Sequence, residues 1–289
     1  MNRIARLLAM AALAASLSFS ADLSASGDGT ISVMSFNIRL PVESDGPDYW
    51  ETRKPLAARM LREEAPDVIG MQELVEGQAD YLVRELPQYA WLGRGREADG
   101  SGERMGVFYR KDRVEVVESG DFWLSDTPDM PGSISWNHLH PRMVTWALFQ
   151  RRSDAKRFYL FNTHLPYREG DEAARVKGAQ AIAQRLAALP KDIPVVLTGD
   201  FNTGPGGEVH AVLSRTLQDA WTTAPRVEGI DATFHAFRGV PDKRIDWIFV
   251  RGIEVESVKS VTTRWNGRYP SDHFPVVAVL AWPEDSGHD

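Results

Sequence analysis

The amino-acid sequence predicts a single mixed α/β domain. Amphipathic helical patterns occur at residues 51–64, 77–86 and 172–189, and about a dozen short apolar runs typical of strands are interspersed with them. Because helices and strands do not alternate one by one, the pattern does not fit a barrel of strict βα units. A chain of 289 residues is long enough for one domain with a sizeable core, and we expect residues 27–289 to form it.

The N-terminal segment has the composition of a secretory signal peptide. Arg3 and Arg6 precede an apolar stretch at residues 7–17, which is too short to span a bilayer comfortably. Small residues follow, and serines occupy the −3 and −1 positions of two candidate cleavage sites between residues 20 and 26. We therefore expect residues 1–26 to be a cleaved signal peptide, with an uncleaved amphiphilic anchor as the alternative. The expected mature protein is secreted or periplasmic, monomeric and without stable membrane insertion.

Composition narrows the function classes. The chain has no cysteine, so it is not a lipoprotein and it folds without disulfides. With 33 Lys+Arg against 40 Asp+Glu, the net charge is −7 and the pI is about 5.6. An acidic chain has no global attraction to a polyanion, which argues against processive binding of nucleic acid. A local basic patch or a bound metal ion can still supply positive charge.

Polar side chains stand at the ends of several predicted strands, where α/β sheets assemble their sites. The first strand carries Asn37 near its end, the second ends in Glu73, and a later one ends in His164. Arg142 stands just before another strand, where its guanidinium either grips a phosphate bidentately or pairs with an acid.

Asp200 and Asn202 follow the apolar run at residues 193–197, and a Gly-Pro-Gly-Gly break follows at residues 204–207. Residues two apart in an extended backbone face the same side, so one carboxylate and one amide can address one small ligand. The structural alternative is a turn or a helix cap, which uses the same residue types.

Asp246 alternates with apolar residues along the strand at residues 244–250, which leaves its carboxylate among apolar neighbours. A buried carboxylate needs a cation, an imidazole or a metal as partner. His273 is the candidate partner, because it precedes the strand at residues 274–279 and has Asp272 beside it. His235 precedes the Asp246 strand and is a candidate substrate contact.

Six short motifs, taken together and in order, resemble those of the endonuclease/exonuclease/phosphatase superfamily. They are Ser-Phe-Asn-Ile (35–38), Gln-Glu (72–73), Asn-Thr-His-Leu (162–165), Gly-Asp-Phe-Asn (199–202), Arg-Ile-Asp-Trp (244–247) and Ser-Asp-His (271–273). The segment at residues 122–128 resembles an exported bacterial branch of that superfamily. The resemblance implies a four-layer α/β/β/α sandwich, in which two packed mixed sheets are flanked by helices and the site lies at one edge.

The resemblance also implies a metal site. Glu73 would be the principal ligand, with Asn37 beside it and Asp272 completing the coordination. Hard oxygen ligands in a chain without cysteine favour Mg²⁺ or Mn²⁺ over zinc.

The catalytic roles implied by the resemblance fall on five residues. Asp200 would orient or deprotonate the attacking water, and Asn202 would hold that water or a phosphoryl oxygen. His273, paired with Asp246, would contact the phosphate, and His164 would act on the leaving-group side. For substrate binding we expect Arg142, Asn202 and His235.

The function expected from these observations is an exported, divalent-metal-dependent phosphoesterase. Its substrate would be a phosphodiester or phosphomonoester, in a small soluble molecule rather than a nucleic acid. The alternatives are an extracellular or periplasmic endonuclease or exonuclease, and a carbohydrate- or partner-binding module with a vestigial site. A binding module has no need for Glu73, Asp200, Asp246 and His273 together, so the intact polar set argues against it.

Overall fold

The computed structural model describes residues 29–283 of the chain. The expected signal peptide, residues 1–26, lies outside the described residues, so its cleavage stays a prediction. Within the described range, no helix combines the length and apolar character that a membrane span requires.

Thirteen strands and five α-helices are described. The strands are β1 (Thr30–Asn37), β2 (Val68–Leu74), β3 (Tyr89–Leu92), β4 (Arg104–Arg110), β5 (Val114–Trp123), β6 (Met143–Arg151), β7 (Arg157–His164), β8 (Val195–Asp200), β9 (Gln218–Asp219), β10 (Val227–Glu228), β11 (Asp246–Arg251), β12 (Glu254–Ser260) and β13 (Val276–Ala281). The helices are α1 (Trp50–Glu64), α2 (Glu76–Glu85), α3 (Glu172–Ala187), α4 (Glu208–Leu213) and α5 (Ala220–Thr223), with 3₁₀ turns at Glu43–Asp48 and Glu169–Asp171. The three helices expected from the sequence are α1, α2 and α3.

The strands form two mixed sheets. One has seven strands in the order β10-β12-β13-β1-β2-β4-β3, and the other has six in the order β5-β6-β7-β8-β11-β9. Most neighbours are antiparallel, but three pairs are parallel: β1 with β2, β7 with β8, and β10 with β12. Parallel neighbours end at the same edge, which brings their terminal side chains together.

Three apolar clusters fill the three interfaces between four layers. Helices α1 and α2 pack their apolar faces, through Leu61 and Leu82, onto Phe36 of the first sheet. The inner faces of the two sheets meet through residues such as Val33 and Leu160. Helices α3 and α4 cover the outer face of the second sheet. The expected four-layer α/β/β/α sandwich is therefore confirmed.

The pattern of β11 shows why the site residues emerge where they do. Trp247 and Phe249 pack toward the outer helices, whereas Ile248 and Val250 face the space between the sheets. Asp246 belongs to the second set by alternation, so its carboxylate lies at the edge of the inter-sheet space. Strand register pairs Asp200 with Asp246 on one side and with His164 on the other.

Candidate active site

A cavity of about 570 Å³ lies at the edge where strands of both sheets end. Of the residues expected from the sequence, seven line it directly: Glu73, Arg142, His164, Asp200, Asn202, Asp272 and His273. Asn37 and Asp246 are hydrogen-bonded to residues of that lining. The structure therefore brings together side chains from both ends of the domain, since Asn37 lies near the end of its first strand and His273 just before its last.

The end of β8 supplies the central carboxylate. Asp200 is buried and accepts hydrogen bonds from Nδ2 of Asn37 at 2.9 Å and from the backbone N–H of Asn202 at 2.9 Å. Burial, and then the charge of Asp246, raise the pKa of Asp200 to about 7. A carboxyl group with such a pKa can accept a proton near neutral pH, as a general base must.

Asn202 lies in the left-handed region, with φ of 52°, directly after the strand. Its Nδ2 donates to the carbonyl of Leu165 at 3.0 Å, which ties the β8 end to the segment after β7. This bond fixes the side chain, which lines the cavity beside Asp200 as expected.

His273 and Asp246 form the expected pair. Nδ1 of His273 lies 2.8 Å from Oδ2 of Asp246, and its Nε2 lies 3.9 Å from Oδ2 of Asp200. Burial alone would lower the pKa of His273, but the carboxylates of Asp246, Asp272 and Asp200 outweigh it and raise that pKa well above the ordinary value. His273 is therefore an imidazolium aimed at the cavity, suited to contact an anion.

Glu73 stands in an irregular part of β2. The β2–β4 register shifts between Met71 and Leu74, and Glu73 has a φ of 57°. Its Oε1 accepts from Nδ2 of Asn37 at 3.1 Å and its Oε2 accepts from the backbone N–H of Leu40 at 2.9 Å. Each carboxylate oxygen keeps a lone pair for a further ligand.

Asp272 follows Ser271, whose hydroxyl donates to the carbonyl of Asn37 at 2.6 Å. This bond holds the segment before β13 against the end of β1. Burial raises the pKa of Asp272 above its ordinary value. Arg39 lies between the two outer acids, with nitrogen atoms 3.8 Å from Asp272 and 3.9 Å from Glu73.

His164 lies between two carboxylates. Its Nε2 is 3.6 Å from Oδ2 of Asp200, and its Nδ1 is 3.8 Å from Oε2 of Glu103. Within residues 29–283, neither that Nδ1 nor that Oε2 has a hydrogen-bond partner. Burial, followed by the charges of Arg142 and Arg96, lowers the pKa of His164 well below its ordinary value, so the ring is neutral in the free site.

Arg142 is 4% exposed and precedes β6 at the cavity wall. Its Nη1 has no hydrogen-bond partner in the described part of the chain. Burial lowers the pKa of Arg142, and the charge of Glu103 opposes that shift. A buried guanidinium with unfilled donor capacity is suited to bind an anionic group.

The sequence reasoning missed three charged residues that line this cavity, namely Arg39, Glu103 and Lys243. Glu103 lies beneath His164 and forms an ion pair of 2.7 Å with Arg96. Arg39 faces the acids and is itself held by Asp45 through two hydrogen bonds. The available signal for Glu103 was its place directly before the apolar run of β4, the same position relative to a strand that identified Arg142.

His235 is not brought to the cavity. Its side chain is 0% exposed, and its ring lies 4.1 Å from the ring of Phe274 and 4.7 Å from that of Tyr269, measured between centroids. The backbone N–H of His235 donates to the carbonyl of Asp272, so the residue supports the site from behind. Packing against aromatic rings takes the imidazole away from the substrate position expected for it.

The donor set fits a hard divalent cation. Glu73, His164 and Asp200 each offer a ligand atom within 4.8 Å of the others, as do Asp200, Asp246 and His273. In the second group Asp246 and His273 already satisfy one another, so Glu73 in the first group is the carboxylate best placed to hold a cation. Asn37 here presents its amide nitrogen to both carboxylates, and its Oδ1 accepts from the backbone N–H of Arg39 at 3.0 Å, so service as an oxygen ligand would require the amide to rotate by half a turn and give up these bonds. Its role as a ligand stays a prediction.

A family model described as Endonuclease/Exonuclease/phosphatase family matches residues 34–273, which span the strands and loops that carry the cavity. The chain belongs to this family. Its members are hydrolases that act on phosphate esters, and they use divalent metal ions.

Two solved structures share both sequence and fold with this chain. A Bacteroides thetaiotaomicron protein described as a mannosyl-6-phosphatase is 32% identical, with a TM-score of 0.83 over 87% of this chain and 100% of that one. An endonuclease/exonuclease/phosphatase protein from Bacteroides vulgatus is 33% identical, with a TM-score of 0.83 over 88% of this chain and 99% of that one.

Among curated proteins, tyrosyl-DNA phosphodiesterase 2 of Danio rerio is 25% identical over 232 residues. The alignment covers 74% of this chain and 58% of that protein. This chain therefore spans less than two thirds of that relative's length.

Proposed function

We propose that this protein is an exported, Mg²⁺- or Mn²⁺-dependent phosphoesterase that hydrolyses a phosphodiester or phosphomonoester bond in a small soluble substrate. The observation that carries the proposal is one cavity in which carboxylates suited to a metal, a carboxyl group with a pKa of about 7 and a charged imidazole meet. Phosphate esters are stable anions, so their hydrolysis requires charge neutralisation, an activated water and help for the leaving oxygen. The cavity offers a group for each task.

The metal would be held by Glu73, with Asp272 and Asn37 as further oxygen donors. When bound, a divalent cation withdraws charge from the phosphoryl oxygens and favours attack on phosphorus. The hydrogen bond from the backbone N–H of Leu40 holds the Glu73 carboxylate in place before the metal arrives. This preorganisation reduces the reorganisation needed at the site.

Asp200 accepts a proton from the attacking water, and Asn202 beside it holds that water or a phosphoryl oxygen. The imidazolium of His273 donates to a second phosphoryl oxygen, and Asp246 keeps its Nδ1 protonated. Arg142 adds positive charge from another wall of the cavity. Together these groups stabilise charge that increases as the new P–O bond forms.

His164 stands on the leaving-group side in this proposal. It is neutral in the free site, and a bound phosphoryl anion favours its protonated form because opposite charges attract. Glu103 then faces the protonated Nδ1 and holds the ring in position. Nε2 is left to donate to the departing oxygen.

The lining supports a small substrate. Tyr167, Phe234 and Ile245 place apolar and aromatic surface beside the polar groups, which suits the ring of a sugar or a base. The cavity volume lies within the ordinary range for small-molecule sites. The net charge of −7 supplies no general attraction for a polynucleotide. The description of one similar structure as a mannosyl-6-phosphatase supports a sugar phosphate as a candidate.

The test is a metal-by-substrate panel on the purified chain, with EDTA, Mg²⁺ or Mn²⁺ against mannose 6-phosphate, p-nitrophenyl phosphate, bis-p-nitrophenyl phosphate and plasmid DNA. We expect metal-dependent release of phosphate or nitrophenol that Asp200→Ala and His273→Ala abolish. Asp192→Ala, which removes an exposed carboxylate before the same strand, is the matched control and keeps activity. Plasmid nicking that falls steeply with salt would instead support the nuclease alternative. No hydrolysis of any ester would overturn the proposal.

Export rests on the N-terminal composition alone. Expression of the full chain in a bacterial host, followed by fractionation and mass measurement, tests it. We expect the periplasm or the medium to contain a chain shortened by 20 to 26 residues. Full-length protein confined to the cytoplasm would contradict this part of the proposal.

A further inference from the structure

A polar network lies between the two sheets, one residue layer behind the cavity. Its members are Gln72 of β2, Asn162 of β7 and Thr198 of β8, all fully buried. The surrounding inter-sheet layer is apolar. Polar side chains in such a layer are costly unless their hydrogen bonds are made, and of the polar atoms in these three side chains only Oε1 of Gln72 lacks a partner within residues 29–283.

The amide of Asn162 makes four hydrogen bonds. Its Nδ2 donates to the carbonyl of Met71 at 2.8 Å and to the carbonyl of Gly106 at 3.0 Å. Its Oδ1 accepts from Nε2 of Gln72 at 2.7 Å and from the hydroxyl of Thr198 at 3.1 Å. An amide side chain has two donor hydrogens and two acceptor lone pairs, so its capacity is filled.

The two carbonyls that Asn162 binds lie beside the irregularity that carries Glu73. Met71 and Gly106 are the last regular partners of β2 and β4 before the register shifts, and pairing resumes only at Leu74. Regular alternation would direct Glu73 to the same face as Met71, toward the helices. The shift and the positive φ at Glu73 turn its carboxylate to the cavity instead.

A left-handed backbone at a residue with a Cβ costs about 1 kcal/mol, so neighbouring contacts must hold it. Asn162 supplies such contacts from the opposite sheet, because it binds one carbonyl on each of the two strands that flank the irregularity.

Gly70 provides an independent sign that this network is built closely. A Cβ at residue 70 would lie 2.0 Å from the hydroxyl oxygen of Thr198 and 2.7 Å from Oδ1 of Asn162. The absence of a side chain there is what lets the two sheets approach closely enough for the amide to reach β2.

We propose that Asn162 is a positioning residue for metal binding: its amide fixes the β2 irregularity and so aims the Glu73 carboxylate at the cation. This inference rests on the proposed function, in which Glu73 is a metal ligand. Asn162 touches neither the metal nor the substrate and acts only through the backbone of β2.

The test compares Asn162→Asp and Asn162→Leu with the wild-type full chain. Asn162→Asp keeps the size and acceptors of the side chain but removes its N–H donors. We expect Mn²⁺ binding, measured by titration calorimetry without substrate, to weaken about tenfold or more, as for other residues that orient metal ligands. Under turnover, the Mn²⁺ concentration for half activity should rise similarly, and saturating Mn²⁺ should restore most of kcat.

Two matched controls separate positioning from loss of packing. Thr198→Val removes a bond to Oδ1 of Asn162 but leaves both carbonyl bonds, and Val196→Ala opens a cavity in the same inter-sheet layer. Both should bind Mn²⁺ with nearly wild-type affinity. If Val196→Ala weakens Mn²⁺ binding as much as Asn162→Asp does, the cause is a general loss of packing between the sheets, and the inference is wrong.

If a folded Asn162→Asp variant binds Mn²⁺ as tightly as the wild type, the inference about Asn162 is wrong but the proposed function stands. If the wild-type chain itself binds no Mn²⁺, both the inference and the proposed metal dependence are wrong. Should neither of these variants fold, Asn162→Ala replaces them, because it removes both carbonyl bonds without adding a charge or a larger side chain. Unchanged Mn²⁺ affinity in that variant would then count against the proposal.

Discussion

Two buried arginines, Arg53 and Arg142, show how differently the fold and the cavity treat a charged group. Arg53 is 1% exposed, and all five of its N–H groups donate to backbone carbonyls. The acceptors are the carbonyls of Ile38, Arg39, Leu40, Asp48 and Pro270. Arg142 is 4% exposed, yet its Nη1 has no partner within the described range. The guanidinium of Arg53 makes all its hydrogen bonds within the protein, whereas that of Arg142 keeps donor capacity for a bound anion.

Two buried histidines repeat the contrast. His273 faces carboxylates that hold it charged, whereas His235 lies against the rings of Phe274 and Tyr269. Burial, with a further contribution from the charge of His273, lowers the pKa of His235 to about 3. Burial alone therefore does not identify a functional group. The charged groups and the cavity around a buried side chain, or their absence, decide between structural support and chemistry.

The largest effect should come from the cavity itself. Asp200→Asn should lower kcat about a thousandfold, close to 4 kcal/mol in activation free energy, because the proton acceptor is lost. The free energy of unfolding at pH 8 should stay constant or rise. The folded-state pKa of Asp200 is about 7, above its unfolded value, so the ionised carboxylate destabilises the fold as pH rises from about 4 to 7. Steady-state kinetics measure the change in kcat, and urea unfolding measures the change in stability. A variant that loses stability but keeps its activity would show that Asp200 has a structural role and not a catalytic one.

The next largest effect is a loss of stability on replacing Arg53, the arginine whose hydrogen bonds are all made. Arg53→Met should lower the free energy of unfolding by about 3 kcal/mol, because it leaves buried carbonyls on three chain segments without donors. Thermal and urea unfolding measure this, and Arg59→Met, at an exposed position of the same helix, is the control. A loss below about 0.5 kcal/mol would show that water replaces the guanidinium.

Arg142→Met should lower activity and leave stability intact, the opposite of the result expected for Arg53→Met. We expect kcat/KM to fall about a hundredfold, near 2.7 kcal/mol, while the free energy of unfolding is unchanged or slightly higher because an incompletely bonded charge is removed. Inorganic phosphate should raise the Tm of the wild type and not of the variant. Arg142→Lys should recover only part of the activity, since an ammonium cannot bind two oxygens in one plane. Loss of stability comparable to that of Arg53→Met would remove the distinction between the two arginines.

The smallest effect concerns the packed histidine. A histidine whose folded pKa is depressed stays neutral while the unfolded chain takes up a proton, so its contribution to stability is lost as pH falls from about 6.5 toward 3. His235→Phe should reduce this loss by about 1 kcal/mol per pH unit and leave activity largely intact. Urea unfolding at pH 5 and pH 7 checks the slope. If the dependence of the unfolding free energy on pH is unchanged and KM rises strongly, His235 contacts the substrate after all.

The sequence was sufficient for the architecture and for most of the cavity. Polar side chains at strand ends depend on local pattern, so Glu73, Asp200 and His273 could be singled out before any contact was known. Asp246 was predicted to need a partner because alternation placed it among apolar residues, and its bond to His273 confirms that argument. Glu103 escaped notice because it follows a polar loop, where charged residues are ordinary, and Arg39 because it stands one residue beyond the Ser-Phe-Asn-Ile motif rather than at a strand end.

The amino-acid sequence by itself determined which strands form, which faces they bury and which polar groups stand at their ends, since these follow from periodicity over a few residues. Only the tertiary structure decided that Arg53 is satisfied and Arg142 is not, that His235 packs against rings, and that Asn162 reaches the β2 irregularity from the other sheet. The physical reason is that hydrogen bonding and desolvation depend on groups distant in sequence. Their meeting is fixed by the register and close approach of whole sheets.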